Sequence, residues 1–285
     1  MTLDHHASIA VIGTGALGSA LAEGAVSCGR NLIAICSPSG STSLADRLKV
    51  PAVTASQAAQ AQVVLLCVPD SVIAEVCDTL ELHAGQLVVH ASGVLGLDVL
   101  QTASSAGAHT GSLHPMMVLT RSGRGRNALR GATATVDGDD TAQTWLQAFA
   151  DDLGLRTLQI DAQHRALYHL SAALVGGLMT GLLAEAADLW THLGYDAATG
   201  AAAMGPMVQE AGRNLAALGE GDIVMGPAAR GDADTIAAHV NALNKTSPQL
   251  LALYRELVRS CLRKASLPPD VQAAVEASLG EGSSS

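Results

Sequence analysis

Five places in the first half of this chain end an apolar run with residues able to do chemistry. They are Gly13-Thr14-Gly15-Ala16-Leu17-Gly18, Ser37, Val68-Pro69-Asp70, His90-Ala91-Ser92-Gly93 and His114-Pro115. The first has G-x-G-x-x-G spacing directly after Ile9-Ala10-Val11-Ile12. Gly13 permits a tight strand-to-helix turn, Gly15 has no Cβ to obstruct a pyrophosphate, and Gly18 lets a helix pack closely on the strand. A helix beginning near Ala16 would turn free N–H groups and the positive end of its dipole toward phosphates. The chemistry implied is dinucleotide binding, with Gly13, Thr14, Gly15, Ala16, Leu17, Gly18, Ser37, Val68, Pro69 and Asp70 as the cofactor-binding candidates. A tight βα turn that binds nothing would have the same spacing.

A nicotinamide moves hydride, so the protein must handle the accompanying proton. Imidazole suits that task because its ordinary pKa, about 6.5, lies near working pH. His114, followed by Pro115 at a strand end, is the first candidate for proton transfer, with His169 and Ser92 as partners in the cleft. His90, Gly93 and Arg230 are candidates for substrate contact. Arg230 could clamp a carboxylate bidentately, or pair with Asp232 or Asp234 and only stitch its own loop. The second strand ends in Cys36-Ser37-Pro38-Ser39-Gly40-Ser41-Thr42, with hydroxyls where an NAD site would carry a carboxylate for the ribose 2′-hydroxyl. That favours NADP and leaves NAD possible. No H-x-x-x-H or Cys/His spacing suggests a metal, G-x-S-x-G is absent, and no Walker lysine follows the glycines.

These residues need strands that deliver them to one edge. Strands are expected at 9–12, 31–36, 61–68, 86–91, 109–113, 132–136 and 156–160, with His114 and Pro115 closing the fifth, and a helix at 141–153. Beyond Asp161 strand signals vanish and helices are expected at 163–192, 197–218, 234–243 and 248–265. The expected architecture is α/β: a Rossmann NAD(P)-binding domain over 1–160, an all-helical substrate and dimerisation domain over 161–280, and a disordered tail at 281–285. Ala173, Gly177 and Gly181 form a small-residue stripe on the long helix, suited to close packing within the chain or against another subunit.

Composition narrows the function classes. Of 285 residues, 48% are hydrophobic and 2% aromatic, so a large core has to be built from Ala, Leu and Val. The net charge of −10 argues against a nucleic-acid surface, and the basic run from Arg121 to Arg130 reads as a solvated loop. The five cysteines form no C-x-x-C pair and read as free thiols in a reducing compartment. The N-terminus, opening Asp4-His5-His6, predicts no signal peptide. The uncharged stretch Ala166 to Ala184 approaches the length of a membrane span, but its Tyr168, His169, Ser171, Thr180 and glycines favour a buried helix.

The stretches VIGTGALG, LLCVPD, VVHASG, SLHPMM, ALYHLSAALVGGLMTGLLAEA and GPAARGD resemble the Rossmann-like DUF2520 family, relatives of pyrroline-5-carboxylate reductases, 6-phosphogluconate dehydrogenases and prephenate dehydrogenases. The resemblance implies a cytoplasmic NAD(P)-dependent oxidoreductase, homodimeric through its helical domain. It also likens His114 to the catalytic histidine of prephenate dehydrogenases. The family usually has Asn where Gly177 stands and commonly Arg where Pro38 stands. The expected activity is hydride transfer to or from a small polar substrate with a C=O or C=N bond, a 2-oxo acid among the possibilities. The alternatives are prephenate or arogenate oxidation, and a protein that senses NAD(P) without turning it over.

Overall fold

The computed structural model describes residues 3–37, 39–40, 42–120, 127–218 and 225–280. The chain divides into two compact units, Met1–Met179 and Thr180–Ser285. The run 121–126, Pro38, the loop residues 219–224 and the tail 281–285, all assigned a character from sequence, lie outside the described residues.

The first unit is built on a seven-stranded sheet: β1 (Ile9–Ile12), β2 (Leu32–Cys36), β3 (Val63–Leu66), β4 (Leu87–His90), β5 (His109–Met116), β6 (Thr133–Gly138) and β7 (Arg156–Leu158), in the order β2-β1-β3-β4-β5-β6-β7. All pairings are parallel except β5 with β6. β1 and β3 are apolar through their length, and β4 up to its closing His90, because both faces are covered, and alternate side chains feed separate cores. Ile9, Val11, Leu65 and Val89 join one, where Trp145 and Phe149 provide the aromatic bulk. Ala10, Ile12, Val64 and Val88 join the other.

The helices of this unit are α1 (Ala16–Ser27), α2 (Ser43–Leu48), α3 (Ala55–Ala58), α4 (Ile73–Asp78), α5 (Gln101–Ser105), α6 (Asp140–Leu153) and α7 (Arg165–Ala173). Chain order reverses across β1, with β2 on one side and β3 on the other. In an open α/β sheet that reversal leaves a crevice at the carboxyl ends of the strands, here β1 and β3.

Two expectations are corrected. His114 and Pro115 do not close the fifth strand but lie within it, paired with Thr135 and Ala134 of β6. A proline is tolerated there because β5 runs on past Ser112, the last of its residues paired with β4, and so has a vacant edge. The long helix is not buried within the chain. Its residues are helical from Ala162 to Leu193, yet its most apolar window is 6% buried. By length and composition this stretch could cross a membrane. It is also interrupted at Leu174–Leu178, where Gly176 has non-helical dihedrals (φ −96°, ψ −105°) and the turn widens to a π-helix.

The second unit contains α8 (Met179–Asp188, beginning at the boundary), α9 (Ala197–Leu218), α10 (Pro227–Arg230), α11 (Ala233–Thr246), α12 (Leu251–Lys264) and α13 (Pro269–Ser278). Its core joins Ile236 and Val240 of α11 to Val258 and Leu262 of α12 and Val275 of α13. The helix α13 had no expectation in the sequence. Among the described residues the five cysteines are free thiols and no cluster of metal-ligating side chains occurs.

Candidate dinucleotide and proton-transfer site

The crevice at β1 and β3 is a cavity of about 570 Å³. Every residue read as cofactor-binding lines it except Gly18. A Cβ on Gly18 would lie 2.0 Å from the Gly13 carbonyl oxygen and 2.9 Å from the Cys67 Cβ, so Gly18 serves the approach of α1 to the sheet. Gly13 has φ +105°, and a Cβ there would sit 2.4 Å from the Cys67 carbonyl oxygen. A Cβ on Gly15 would meet nothing within 4 Å, because it would project into open space. Gly15 caps α1 with no side-chain hydrogen bond, and no acidic residue occupies the first turn. The leading N–H groups of a twelve-residue helix and its positive dipole end therefore face the cavity without competition. This is what a pyrophosphate requires, and the residues present fit a dinucleotide.

On the β2 side, Thr14 Oγ1 lies 2.8 Å from Ser37 Oγ, and Ser37 Oγ lies 3.0 Å from Ser39 Oγ. This hydroxyl chain ties the glycine turn to the strand end. Sequence reasoning missed Arg47, which lines the same side from α2 and is ion-paired with Glu23 of α1. Its position on a short helix ten residues beyond Ser37, with no pattern of its own, concealed it.

At the β3 end, Asp70 lines the cavity and accepts a 2.7 Å hydrogen bond from Ser92 Oγ. Ser92 Oγ also accepts from the backbone N–H groups of Val94 and Leu95 at 3.2 and 3.1 Å. At 2% exposure its hydroxyl is committed to these contacts, so the reading of Ser92 as a reacting group gives way to one of holding the β4 loop and Asp70. His90 is also corrected: it is 0% exposed, with Nδ1 accepting from the Ser92 N–H at 3.2 Å. Burial pushes its pKa down to about 4, helped by the charge of Arg165, and it cannot touch a substrate without rearrangement.

Gly93 lies beneath the His114 ring, where an added Cβ would meet Cε1 at 2.7 Å, Nδ1 at 2.8 Å and Nε2 at 2.9 Å. His114 Nδ1 is 3.0 Å from the Tyr168 hydroxyl, which also donates to the His114 carbonyl oxygen at 3.3 Å. The two rings meet edge to face at 5.6 Å, and the exposed His169 ring is 6.1 Å from His114. Burial lowers the His114 pKa to about 4, with the charges of His169 and Arg165 acting the same way and Asp70 opposing them. Burial also raises the Tyr168 pKa. His114 and His169 thus come together as expected from sequence, with Tyr168 as the partner that sequence reasoning did not single out. Arg230, exposed at the end of α10, belongs to the second unit; hydrogen bonds from Thr235 hold the Asp232 carboxyl below the usual range, and the Arg230 charge acts the same way to a smaller extent.

Residues 8–93 match the family described as NADP oxidoreductase, coenzyme F420-dependent, and residues 132–261 match the domain of unknown function DUF2520. No curated protein matches the chain in sequence. Among solved structures, a Bacteroides fragilis protein provisionally assigned as an NADP oxidoreductase has a TM-score of 0.76 at 22% identity, covering 91% of this chain and 99% of that one. The pyrroline carboxylate reductase of Plasmodium falciparum, determined with NADP bound, gives 0.61 at 11% identity, covering 95% and 99%. Prephenate dehydrogenase from Aquifex aeolicus gives 0.52 at 14% identity, covering 65% and 71%. These likenesses concern the fold. The chain thus has a Rossmann-like fold in which a segment matching the NADP-oxidoreductase family, residues 8–93, precedes a segment matching DUF2520, residues 132–261.

Proposed function

We propose that the chain is an NADP-preferring oxidoreductase acting on a small polar substrate with a C=O or C=N bond, with His114 as the proton-transfer residue. The observation that carries the reading is the 570 Å³ cleft, lined by the glycine turn and the uncapped start of α1. Bound there, a nicotinamide dinucleotide would supply or take the hydride. Backbone N–H groups at Ala16 and Leu17 hold the pyrophosphate, and Asp70, fixed by Ser92, borders the cleft toward His114. Being neutral near pH 7, His114 holds a proton-accepting nitrogen without an added charge in a half-buried place. Tyr168 orients the ring, and His169, at the surface, offers a route for the proton to solvent. A 2-oxo acid or its imine is the substrate class in view. Prephenate-type oxidation is supported less, since that relative covers a smaller part of the chain.

The cofactor preference follows from charge. Ser37, Ser39 and Arg47 surround the place where a 2′-phosphate would sit, and the one carboxylate lining the cleft among the described residues, Asp70, belongs to the β3 end. A guanidinium contact to phosphate contributes about 1.5–3 kcal/mol, so Arg47→Ala lowers NADPH affinity roughly 10- to 100-fold and leaves NADH binding nearly unchanged. Fluorescence titration with both cofactors tests this, and micromolar binding of neither would remove the enzyme reading. Turnover of oxo acids and imines unchanged in His114→Ala would refute the role given to that residue.

The chain is also read as a homodimer. Leu167, Leu170, Leu174 and Leu178 recur at helical spacing and are 65%, 49%, 55% and 61% exposed, an apolar stripe suited to a second copy. Leu174→Glu should yield a monomer by light scattering, and an unchanged mass would exclude this face.

A further inference from the structure

The only buried residues of α7 are Arg165 and Tyr168, three apart and therefore on one face of the helix. They meet Ser112 and His114, two apart on β5 and therefore on one face of the strand. Arg165 Nη2 donates to Ser112 Oγ at 2.8 Å, and Tyr168 bonds His114 at 3.0 Å, so helix and strand are joined by two successive rungs. The first rung is braced further: Arg165 Nη2 donates to Asp137 Oδ2 of β6 at 2.9 Å and Nη1 to the Leu95 carbonyl at 2.8 Å. One guanidinium thus joins α7 to the β4 loop, β5 and β6.

As packing this is poor chemistry. The side chain is 2% exposed, its Nε is buried with no hydrogen-bond partner among the described residues, and a cation sits at the positive end of a helix dipole. An apolar residue of similar volume often costs less than a buried ion pair. What arginine adds is a rigid fork whose donors reach several partners at defined angles.

The second rung can be protonated in two ways, and the tautomer of His114 decides between them. The Tyr168 hydroxyl has one hydrogen, and the His114 carbonyl 3.3 Å away can only accept. If that hydrogen goes to the carbonyl, the 3.0 Å contact is a hydrogen bond only when His114 Nδ1 is the donor. Nε2 then keeps its lone pair. We propose that Arg165 is a positioning residue, whose buried fork sets α7 on β5 so that the Tyr168 hydroxyl locks His114 in its Nδ1–H form. This rests on the reading of His114 as the proton-transfer residue, and gives that role its atom: Nε2 takes the proton when a C–OH or C–NH group is oxidised and returns it when the C=O or C=N group is reduced.

The test uses the full chain, ¹⁵N-labelled at histidine, without cofactor or substrate. His114→Gln identifies the resonances, and spectra at pH 7.5 report which ring nitrogen is protonated. Wild type should show a single form with Nδ1 protonated. Tyr168→Phe and Arg165→Met should both lose it and show exchanging tautomers. Arg165→Lys, which keeps the charge but not the fork, should follow Arg165→Met. A folded Arg165→Met or Arg165→Lys protein that keeps the wild-type pattern overturns the proposal, as does a wild-type protein with Nε2 protonated. Should Arg165→Met not fold, Ser112→Ala carries the test: appearance of a second tautomer supports the proposal, and an unchanged spectrum overturns it. Because no nucleotide is present, failure of NADPH binding would sink the oxidoreductase reading and leave this result standing.

Discussion

Lowering the pH from 7 to 5 should destabilise this protein by an amount set largely by two histidines. His90 and His114 both have pKa values of about 4 in the folded chain, burial being the leading cause in each. An unfolded histidine titrates near 6.5. Between these values the unfolded state binds more protons than the folded one, so stability falls as pH falls, beginning near 6.5 and ending near 4. At pH 5 the unfolded histidine is almost fully charged and the folded one mostly neutral, a ratio of about 30 in the binding terms and roughly 2 kcal/mol per histidine. Two such losses are large against a total stability of about 5–15 kcal/mol. Urea unfolding at pH 7 and pH 5, at one fixed protein concentration, measures the wild-type loss, to which carboxylates also contribute. The same pair of measurements on His90→Gln isolates one histidine, and its pH-dependent loss should be smaller by about 2 kcal/mol, whatever its stability at pH 7. Equal losses in wild type and variant would show that His90 titrates normally, and the argument from its burial would fail.

Further outcomes follow from the glycines and one thiol. Gly13→Ala places a Cβ 2.4 Å from a backbone oxygen at φ +105° and should cost more than about 3 kcal/mol by thermal or urea unfolding, whereas Gly15→Ala meets no protein atom and should leave stability intact while weakening NADPH binding. A stable Gly13→Ala, or tight NADPH binding by Gly15→Ala, contradicts the geometry of the turn. Gly93→Ala would press on three atoms of the His114 ring, so its expected effect is a displaced His114 NMR signal and a loss of about 1–3 kcal/mol, and an unmoved signal counts against the contact. Desolvation pushes the half-buried Cys67 thiol at the cleft wall up to about 12, so iodoacetamide at pH 8 should label it far more slowly in the native protein than after unfolding, and native-state labelling at the rate of a free thiol would contradict that shift.

Sequence alone determined whatever depends on neighbours along the chain. The glycine spacing is legible because the strand, turn and first helical residues are contiguous, and the structure puts Gly13 at φ +105° with the open side at Gly15. The apolar runs ending in Val68-Pro69-Asp70 and His90 are legible because a strand covered on both faces must be apolar throughout. Tertiary structure decided what those ends meet. That Ser92 and His90 are buried and already bonded depends on the packing of the β4 loop against Asp70 and β5, which no local pattern encodes. Pro115 read as a strand terminator, but it lies within β5 because its neighbour strand has already ended. The Tyr168–His114 rung joins residues 54 apart, and Arg165 signalled itself only as a lone charge heading an apolar helix. The same apolar stretch, read as a buried helix because Tyr168, His169, Ser171, Thr180 and glycines interrupt it, is exposed here, because composition states how much surface prefers to leave water and only the fold states whether this chain itself covers it.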